Sequence, residues 1–507
     1  MSLIRLFTVL AFASWALFLN SCSSISPVSP VSVSSSNPSE IASLPTSIVD
    51  VPLTVLHRYY CPATGDHMTK PVYYKPGYGY NYSGPFAYVP VSSWGSGVTN
   101  VLNDMFNPGN GDHMTSIDPN EGSSVGYIFG QYLGRVFTTN LSGSGLWPYN
   151  RYYKIFTLNG IQRIDHWDNV EDRTLPGSGY TLGSTLGYAW GTGGGPRYND
   201  SVGCHASDNS RVLMSAQGIT IGAAPCWGGC IVSLKKSSMG NVELVNICPY
   251  GGVGREIQSC LWYSSADNPT EGGDTYWNGS PIINCSVDQT STTYPCLNTT
   301  AIALQWGNYG LVPTYYTTRD QPVLSGTTFS KAVTVVNPSR IKYDETICFA
   351  KDNLSTGITP VILYLNNLFD QFWLYQWNGS SLITKWYNPN IRDPNNDKLD
   401  TENVRNTSCS ELLVANNKAG TIAVALFYPP HTATQYQTYS TWNASTYYLS
   451  GSGSGPYENG TVVMSMNQFY IPVKAGSTMT YHPIILVGTL KEVKDDAVKI
   501  AKSFLRY

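Results

Sequence analysis

One phrase occurs twice in this chain and limits its fold more than any other feature. Residues 61–69 read CPATGDHMT and residues 107–115 read NPGNGDHMT. Each copy follows a strand-like aromatic or apolar stretch and precedes a loop and a second aromatic segment with Gly. A weaker third copy reads YYKIFTLNGIQRIDHWDN at 152–169, with Asp165-His166 in the place of Asp66-His67 and Asp112-His113. The three histidines stand 46 and then 53 residues apart. In this alignment LGYAWG at 186–191 answers VGYIFG at 125–130. A unit of this length cannot bury an apolar face by itself, so the copies must pack on one another. Three copies favour a closed three-fold β structure: a β-trefoil first, a small propeller-like or solenoid array second. Closure also removes strand edges that would invite aggregation.

Composition agrees with strands and turns. Tyr (36), Gly (47) and Pro (31) are abundant, and charged residues make up only 12% of the 507. Such a mixture suits β structure, not helical bundles. Lys plus Arg (30) nearly balances Asp plus Glu (33), and no basic stretch forms a phosphate track. Nucleic acid is therefore excluded as an expected partner.

The first residues, MSLIRLFTVLAFASWALFLNSC, place one Arg before a short apolar run, too short for a comfortable membrane span and placed as a secretory signal. Leu19-Asn20-Ser21-Cys22 resembles the lipobox of bacterial lipoproteins, which implies a lipidated Cys22; an ordinary signal peptide cut nearby is the alternative. Residues 23–49 form a Ser/Pro tether with few large apolar groups. The expected location is therefore the cell envelope, anchored to a membrane by acyl chains at Cys22, with secretion as the alternative. Ten further cysteines (61, 204, 226, 230, 248, 260, 285, 296, 348 and 409) allow five disulfides in an exported chain. CWGGC at 226–230 has the wrong spacing for a zinc knuckle, so staples are expected and a metal is not.

The stretch HRYYCPATGDHMT at 57–69 resembles a repeat of secreted, often bacterial, proteins that is catalogued mainly as a domain of unknown function. Its usual form is roughly Tyr-Arg-aromatic-Tyr-Asn-Pro-x-Thr-Gly-Asp-His-aromatic-Tyr-Thr. Arg58, Tyr59, Tyr60, Pro62, Thr64, Gly65, Asp66 and His67 match it in the first copy. Phe106, Asn107, Pro108, Gly111, Asp112 and His113 match it in the second. Met68 and Met114 replace the aromatic after His. The resemblance covers about 53–200 and implies an extracellular module that accompanies hydrolase or adhesion domains.

Two readings of the Asp-His pairs compete. In one, Asp66, His67, Asp112, His113, Asp165 and His166 line ligand pockets. A sugar's hydroxyls would bond the imidazoles and its apolar face would stack on Tyr60, Phe106, Trp167 or Trp190. Tyr59, Tyr78, Tyr80, Tyr127, Phe129 and Tyr188 are further platforms. In the other, the histidines tie each turn to the next strand. Adjacent Asp and His in a strand point opposite ways and do not make a dyad.

The remaining chain divides into a disulfide-rich β region at 201–330 and a β-sandwich at 331–507 that ends in a helix. Eight strand-like runs, from KAVTVVN at 331–337 to IILVGTL at 484–490, are separated by Asn, Asp, Gly and Pro turns, as two packed sheets require. Val493, Ala497, Ile500, Ala501, Phe504 and Leu505 recur at helical spacing. The fold expected is thus mainly β: a β-trefoil-like repeat domain at 50–200, a Cys-rich β region and a C-terminal β-sandwich with a terminal helix.

Catalytic motifs are weak. Gly122-Ser123-Ser124-Val125-Gly126 matches a nucleophile elbow in letters, and SLKK at 233–236 matches Ser-x-x-Lys. Asp370, Glu402 and Glu411 are isolated carboxylates. No zincin, phosphate-loop or dinucleotide fingerprint is present, so no cofactor is expected. The functional expectation is an exported surface protein with non-catalytic modules that bind a glycan or extracellular protein. A structural envelope component and a secreted glycosidase-like enzyme are the alternatives.

Overall fold

The computed structural model describes residues 51–71, 79–92, 99–141, 144–170, 179–192, 211–246, 257–263, 269–273, 279–291, 293–306, 322–392, 399–404, 411–428, 441–450 and 460–504. The signal, Cys22 and the tether lie outside them, as do Tyr78, Cys204, Cys248 and Cys409.

The repeat region is three copies of one three-stranded unit. The first has β1 (Val51–Cys61), β2 (Asp66–Lys70) and β3 (Asn81–Pro90); the second β4 (Thr99–Asn107), β5 (Asp112–Ser116) and β6 (Ile128–Phe137); the third β7 (Trp147–Leu158), β8 (Ile161–Val170) and β9 (Thr181–Gly191). In each, the first strand pairs antiparallel with both others. Each long pairing carries a bulge at an equivalent place, opposite Leu56/His57, Leu102/Asn103 and Tyr149/Asn150. The residues skipped in register there, Phe86, Leu133 and Leu186, are buried. A bulge bends its strand and re-aims a side chain, and here the three re-aimed side chains join one core with Leu56, Leu102 and Tyr149. Covering a side chain of this size contributes about 1.5–3 kcal/mol, and no single unit could supply its own cover. The described pairings leave the sheets open. They establish a mainly β module with three-fold repetition, not a closed trefoil barrel.

The rest is also β. A small sheet has β10 (Val212–Ala216), β11 (Ile219–Ala224) and β12 (Cys230–Lys236). The large sheet system takes β13 (Gln258–Tyr263), β14 (Pro269–Thr270), β15 (Ile282–Asp288), β16 (Cys296–Gln305), β17 (Val323–Asn337), β18 (Arg340–Cys348) and β19 (Asn353–Leu365). It continues with β20 (Gln371–Trp377), β21 (Leu382–Asn388), β22 (Leu399–Val404), β23 (Glu411–Asn416) and β24 (Ala423–Tyr428). It ends with β25 (Thr441–Ser450), β26 (Gly460–Val473), β27 (Thr478–Tyr481) and β28 (Ile484–Gly488). The boundary expected at 330/331 falls inside β17. β16 pairs with β17 and β13 with β19, so the Cys-containing strands complete the sandwich instead of standing apart. No disulfide joins two described cysteines; Cys61, Cys260, Cys296 and Cys348 stand as thiols. Met214, Ile219, Ile221 and Leu234 of the small sheet share one core with Val333, Leu363, Leu413 and Val487.

β1 also pairs with β17 at Val51↔Leu324 and Pro52↔Val323. Val51, Leu53, Tyr88, Phe137 and Trp190 pack against Ile302, Leu304 and Leu324 across this join. The terminal helix α1 (Leu490–Phe504) begins with a reciprocal cap: Glu492 N–H donates to Thr489 Oγ1 at 3.1 Å and Thr489 N–H to Glu492 Oε2 at 2.8 Å. Its stripe Val493, Ala497, Ile500 and Ala501 is buried against Leu412, Val414, Phe427 and Leu486. Asp496 takes a two-point bond from Arg340 at 2.7 and 3.1 Å.

Candidate functional site

The second strands bring the three Asp-His pairs together: Asp66 and Asp112 open the five-residue β2 and β5, and Asp165 lies midway along the ten-residue β8. Across each hairpin the histidine faces an aromatic: Tyr60↔His67, Phe106↔His113 and Tyr153↔His166. The aspartates, not the histidines, converge. Asp66, Asp112 and Asp165 each present a carboxylate oxygen within 4.8 Å of the others, and all three are buried.

The bonds run around this axis in one sense. His67 of the first unit donates its N–H to Asp165 Oδ1 at 2.7 Å and its ring Nδ1 lies 2.8 Å from Asp165 Oδ2. His166 of the third reaches Asp112 Oδ2 of the second through Nδ1 at 2.8 Å. His113 of the second gives its N–H to Asp66 Oδ1 of the first at 3.0 Å, while its ring Nδ1 turns to Asp104 at 3.0 Å. No histidine pairs with the aspartate beside it in sequence, because adjacent strand residues face opposite ways. Each turn is therefore tied to the neighbouring unit, not to its own next strand.

A tyrosine closes each position. Tyr80, Tyr127 and Tyr180 hydroxyls donate to Asp66, Asp112 and Asp165. Each follows a glycine with positive φ: Gly79 (83°), Gly126 (95°) and Gly179 (93°). That backbone is costly for a residue with a Cβ. The equivalence of Gly126-Tyr127 with Gly179-Tyr180 overturns the alignment of VGYIFG with LGYAWG. Gly187 of the latter sits at the β7–β9 bulge, where Gly134 sits at β4–β6. Tyr180 was the residue sequence reading missed, and the Gly-Tyr dipeptide 13 or 14 residues after each His was the available signal.

A second ring lies nearer the core. Thr69 and Thr115 hydroxyls donate to Asp168 at 2.7 and 2.6 Å, the three residues holding equivalent places. Arg58 donates to the Asp168 carbonyl at 2.6 Å and Arg151 to that of Thr115 at 2.5 Å. Between units two and one, Lys70 pairs instead with Asp104 at 2.7 Å. Where the unit's Arg is replaced by Asp104, the partner has become a cation.

Electrostatics follow from crowding. Three close carboxylates cannot all stay ionised in a buried place. Burial, with smaller contributions from the charges of Asp112 and Asp165, pushes Asp66 up to about 9, against the pull of Tyr80 and the His113 N–H. Asp66 thus holds a proton at neutral pH. Burial first, then the facing aspartate, raises Tyr80 and Tyr127, so these phenols remain donors. Burial also raises Asp168, opposed by Thr115, Thr69 and the two arginines. Asp112 Oδ1 is the one oxygen of the aspartate trio without a hydrogen-bond partner among the described residues. An all-oxygen set of this kind suits a hard cation if it suits any metal.

The aromatic candidates separate. His67 lies between Tyr60 and Trp167, with ring centroids 4.6 Å away on each side, and Arg58 sits over Trp167 at 4.7 Å. Phe106 lies 4.7 Å from His113. Tyr60, Phe106 and Trp167 are all part-exposed. Trp167 follows His166 as Met68 and Met114 follow theirs, and both methionines are buried. Trp190 is not a platform: it is fully buried, donates Nε1–H to the Ser144 carbonyl at 2.7 Å and meets Phe137 edge-on in the join to the sandwich. Tyr59 is likewise buried.

The enzyme-like motifs take ordinary places. Ser123–Val125 is an exposed single turn between β5 and β6, without the buried strand and following helix that an elbow needs. In SLKK, Ser233 bonds Glu243 at 2.6 Å and Lys236 bonds the Val487 carbonyl at 2.9 Å. Asp370 accepts from the Lys418 N–H at 3.0 Å and faces Arg392, and Glu411 is buried in β23.

No protein-family model and no curated protein matches this chain. Among solved structures, it is similar to a galactose mutarotase related enzyme from Lactobacillus acidophilus, at 11% identity and a TM-score of 0.29, over 56% of this chain and 99% of that one. A putative aldose 1-epimerase from Klebsiella pneumoniae gives 10% identity and a TM-score of 0.29 over 57% and 82%. A GH36 alpha-galactosidase, AgaB, from Geobacillus stearothermophilus gives 9% and 0.31 over 57% and 41%. These neighbours are carbohydrate-related by name, and TM-scores this low do not define a shared fold.

Proposed function

We propose that this chain is an exported surface protein, lipid-anchored at Cys22, whose residues 51–191 form a rigid, non-catalytic recognition module related to the extracellular repeat it resembles. The observation that carries the reading is the consumption of the Asp-His chemistry inside the module. The three aspartates are buried and bonded to tyrosine and histidine of the same ring, so they serve as bolts between units instead of as an acid or base. What the brace leaves partly open is aromatic: the Tyr60–His67–Trp167 stack at the junction of the first and third units. A part-exposed aromatic cluster with polar edges is a surface on which a sugar ring lays its apolar face. Carbohydrate is therefore the ligand class assigned to it.

A glycan array with the full chain and its Trp167→Ala and Tyr60→Ala variants tests this. Binding by the native chain that falls at least tenfold in Trp167→Ala supports the reading. No binding to any glycan, or binding indifferent to both changes, removes the carbohydrate assignment. The structural or protein-binding envelope role would then stand, and the burial of the Asp-His turns favours it.

A further inference from the structure

The sandwich core holds a cluster that the module's function does not use. Lys331 on β17, Glu345 on β18 and Glu271 just after β14 have side chains with essentially no exposure. Lys331 stands directly opposite Glu345 in the β17–β18 ladder. Its Nζ touches Glu271 Oε1. The Ser259 N–H donates to Glu271 Oε2 at 3.0 Å, and the Glu271 backbone N–H returns a bond to the Ser259 carbonyl at 3.0 Å, so Ser259 fixes both the backbone of residue 271 and one oxygen of its carboxyl. Neither carboxylate oxygen of Glu345, nor the hydroxyl of Tyr343, finds a hydrogen-bond partner among the described residues, and both are fully buried.

Such a cluster is expensive as ions. A buried charge costs several kcal/mol unless well paired and hydrogen-bonded, and two carboxyls here face a single ammonium. We propose that Lys331 and Glu271 condense into an internal amide cross-link, with Glu345 carrying the proton.

The step balances without any outside reagent. The resting pair shifts one proton from Lys331 to the Glu271 carboxylate, giving an amine and a carboxylic acid. The Nζ lone pair attacks Cδ of Glu271, and the oxyanion that develops is met by the Ser259 N–H already placed at Oε2. Glu345, which burial keeps protonated, gives its proton to the departing hydroxyl and takes one from Nζ in return. One C–N bond forms, one C–O bond breaks and one water leaves. Burial, together with the charge of Glu271, raises Glu345 well above an ordinary carboxyl, as a proton carrier at neutral pH requires. Burial likewise raises Glu271 against the pull of Lys331. Burial also opposes the ammonium of Lys331, but Glu271, Cys230 and Glu345 outweigh it and hold the lysine protonated until that proton moves. Condensation is unfavourable between separate molecules in water. Fixed contact supplies effective molarities of about 10⁵–10⁸ M, and the product replaces two buried charges with one neutral amide. The link would tie the segment after β14 to β17 across 60 residues of chain, restricting the unfolded state as any long covalent loop does.

Peptide mapping of the full chain tests this. The protein is reduced, denatured and digested with trypsin, then read by tandem mass spectrometry. A branched peptide joining the Glu271 and Lys331 segments, lighter by one water than their sum and uncleaved after Lys331, is the expected result. In Glu345→Gln the same digestion should yield linear peptides cut after Lys331. Linear Lys331 peptides from the native chain would overturn the proposal, whatever the variant does. A cross-link that persists in Glu345→Gln would overturn the role given to Glu345.

Discussion

Replacing Asp66 with Asn tests the carboxylate ring directly. Burial is the main cause that lifts Asp66 from 3.8 to about 9. Between those values the folded chain holds a proton at Asp66 that the unfolded chain has released. The stability linked to this group is therefore complete below pH 3.8 and is lost as pH rises through about 9. A difference of one proton gives a slope of about 1.4 kcal/mol per pH unit, or about 4 kcal/mol between about pH 5 and about pH 8. Asn has the shape of the protonated acid, keeps an oxygen for Tyr80 or the His113 N–H, and does not titrate. The variant should lose about that one-proton slope and be the more stable form at the alkaline end. Hydrogen exchange of peptides covering β2, β5 and β8, corrected for the intrinsic pH dependence of exchange, reads the opening free energy locally. Equal slopes in the native and Asp66→Asn chains would show that Asp66 is ionised in the fold, and the shared-proton account of the ring would fail.

Two further outcomes follow from packing. At Gly187, φ is +154° and an added Cβ would lie 2.6 Å from the Phe137 carbonyl oxygen and 2.7 Å from Val136, so Gly187→Ala should destabilise the module by about 1–3 kcal/mol. Gly160→Ala, at φ +78° with nothing within 4 Å, should cost only about 1 kcal/mol for its left-handed backbone; calorimetry on both variants checks the order. Ile500→Ala should cost about 2–5 kcal/mol by opening a cavity beneath α1 and should raise exchange along the whole helix. An unchanged helix would mean that Arg340–Asp496 and the Thr489/Glu492 cap hold it without the stripe.

What could be read from the sequence depended on how local its physical cause was. The Asp-His pairs, the strand runs and the helical stripe from Val493 to Ala501 are written in adjacent residues and appear where the patterns place them, while Leu505 lies outside the described residues. Eight strand runs of the C-terminal region became strands because alternation and turn residues are short-range signals. ELLVAN at 411–416, buried throughout, has no alternation to betray it and went unread. The domain boundary inside β17 failed for a different reason. A chain can leave a sheet through a loop and return, and which edge it rejoins is settled by packing between distant strands. The repeat shows the same divide at finer scale. Its copies were visible, but their true register was not, since LGYAWG resembles VGYIFG in letters while Gly179-Tyr180 matches Gly126-Tyr127 in work done. The partner of each Asp lies one unit away, and only the closed circuit reveals it. That circuit also explains why the third copy could drift so far. Once Asp165, His166 and Tyr180 are kept, Asp168 can stand where the others have threonine, because Thr69 and Thr115 supply the hydroxyls that its carboxylate needs. The units have diverged as complementary parts of one ring, so their likeness in sequence understates their likeness in role.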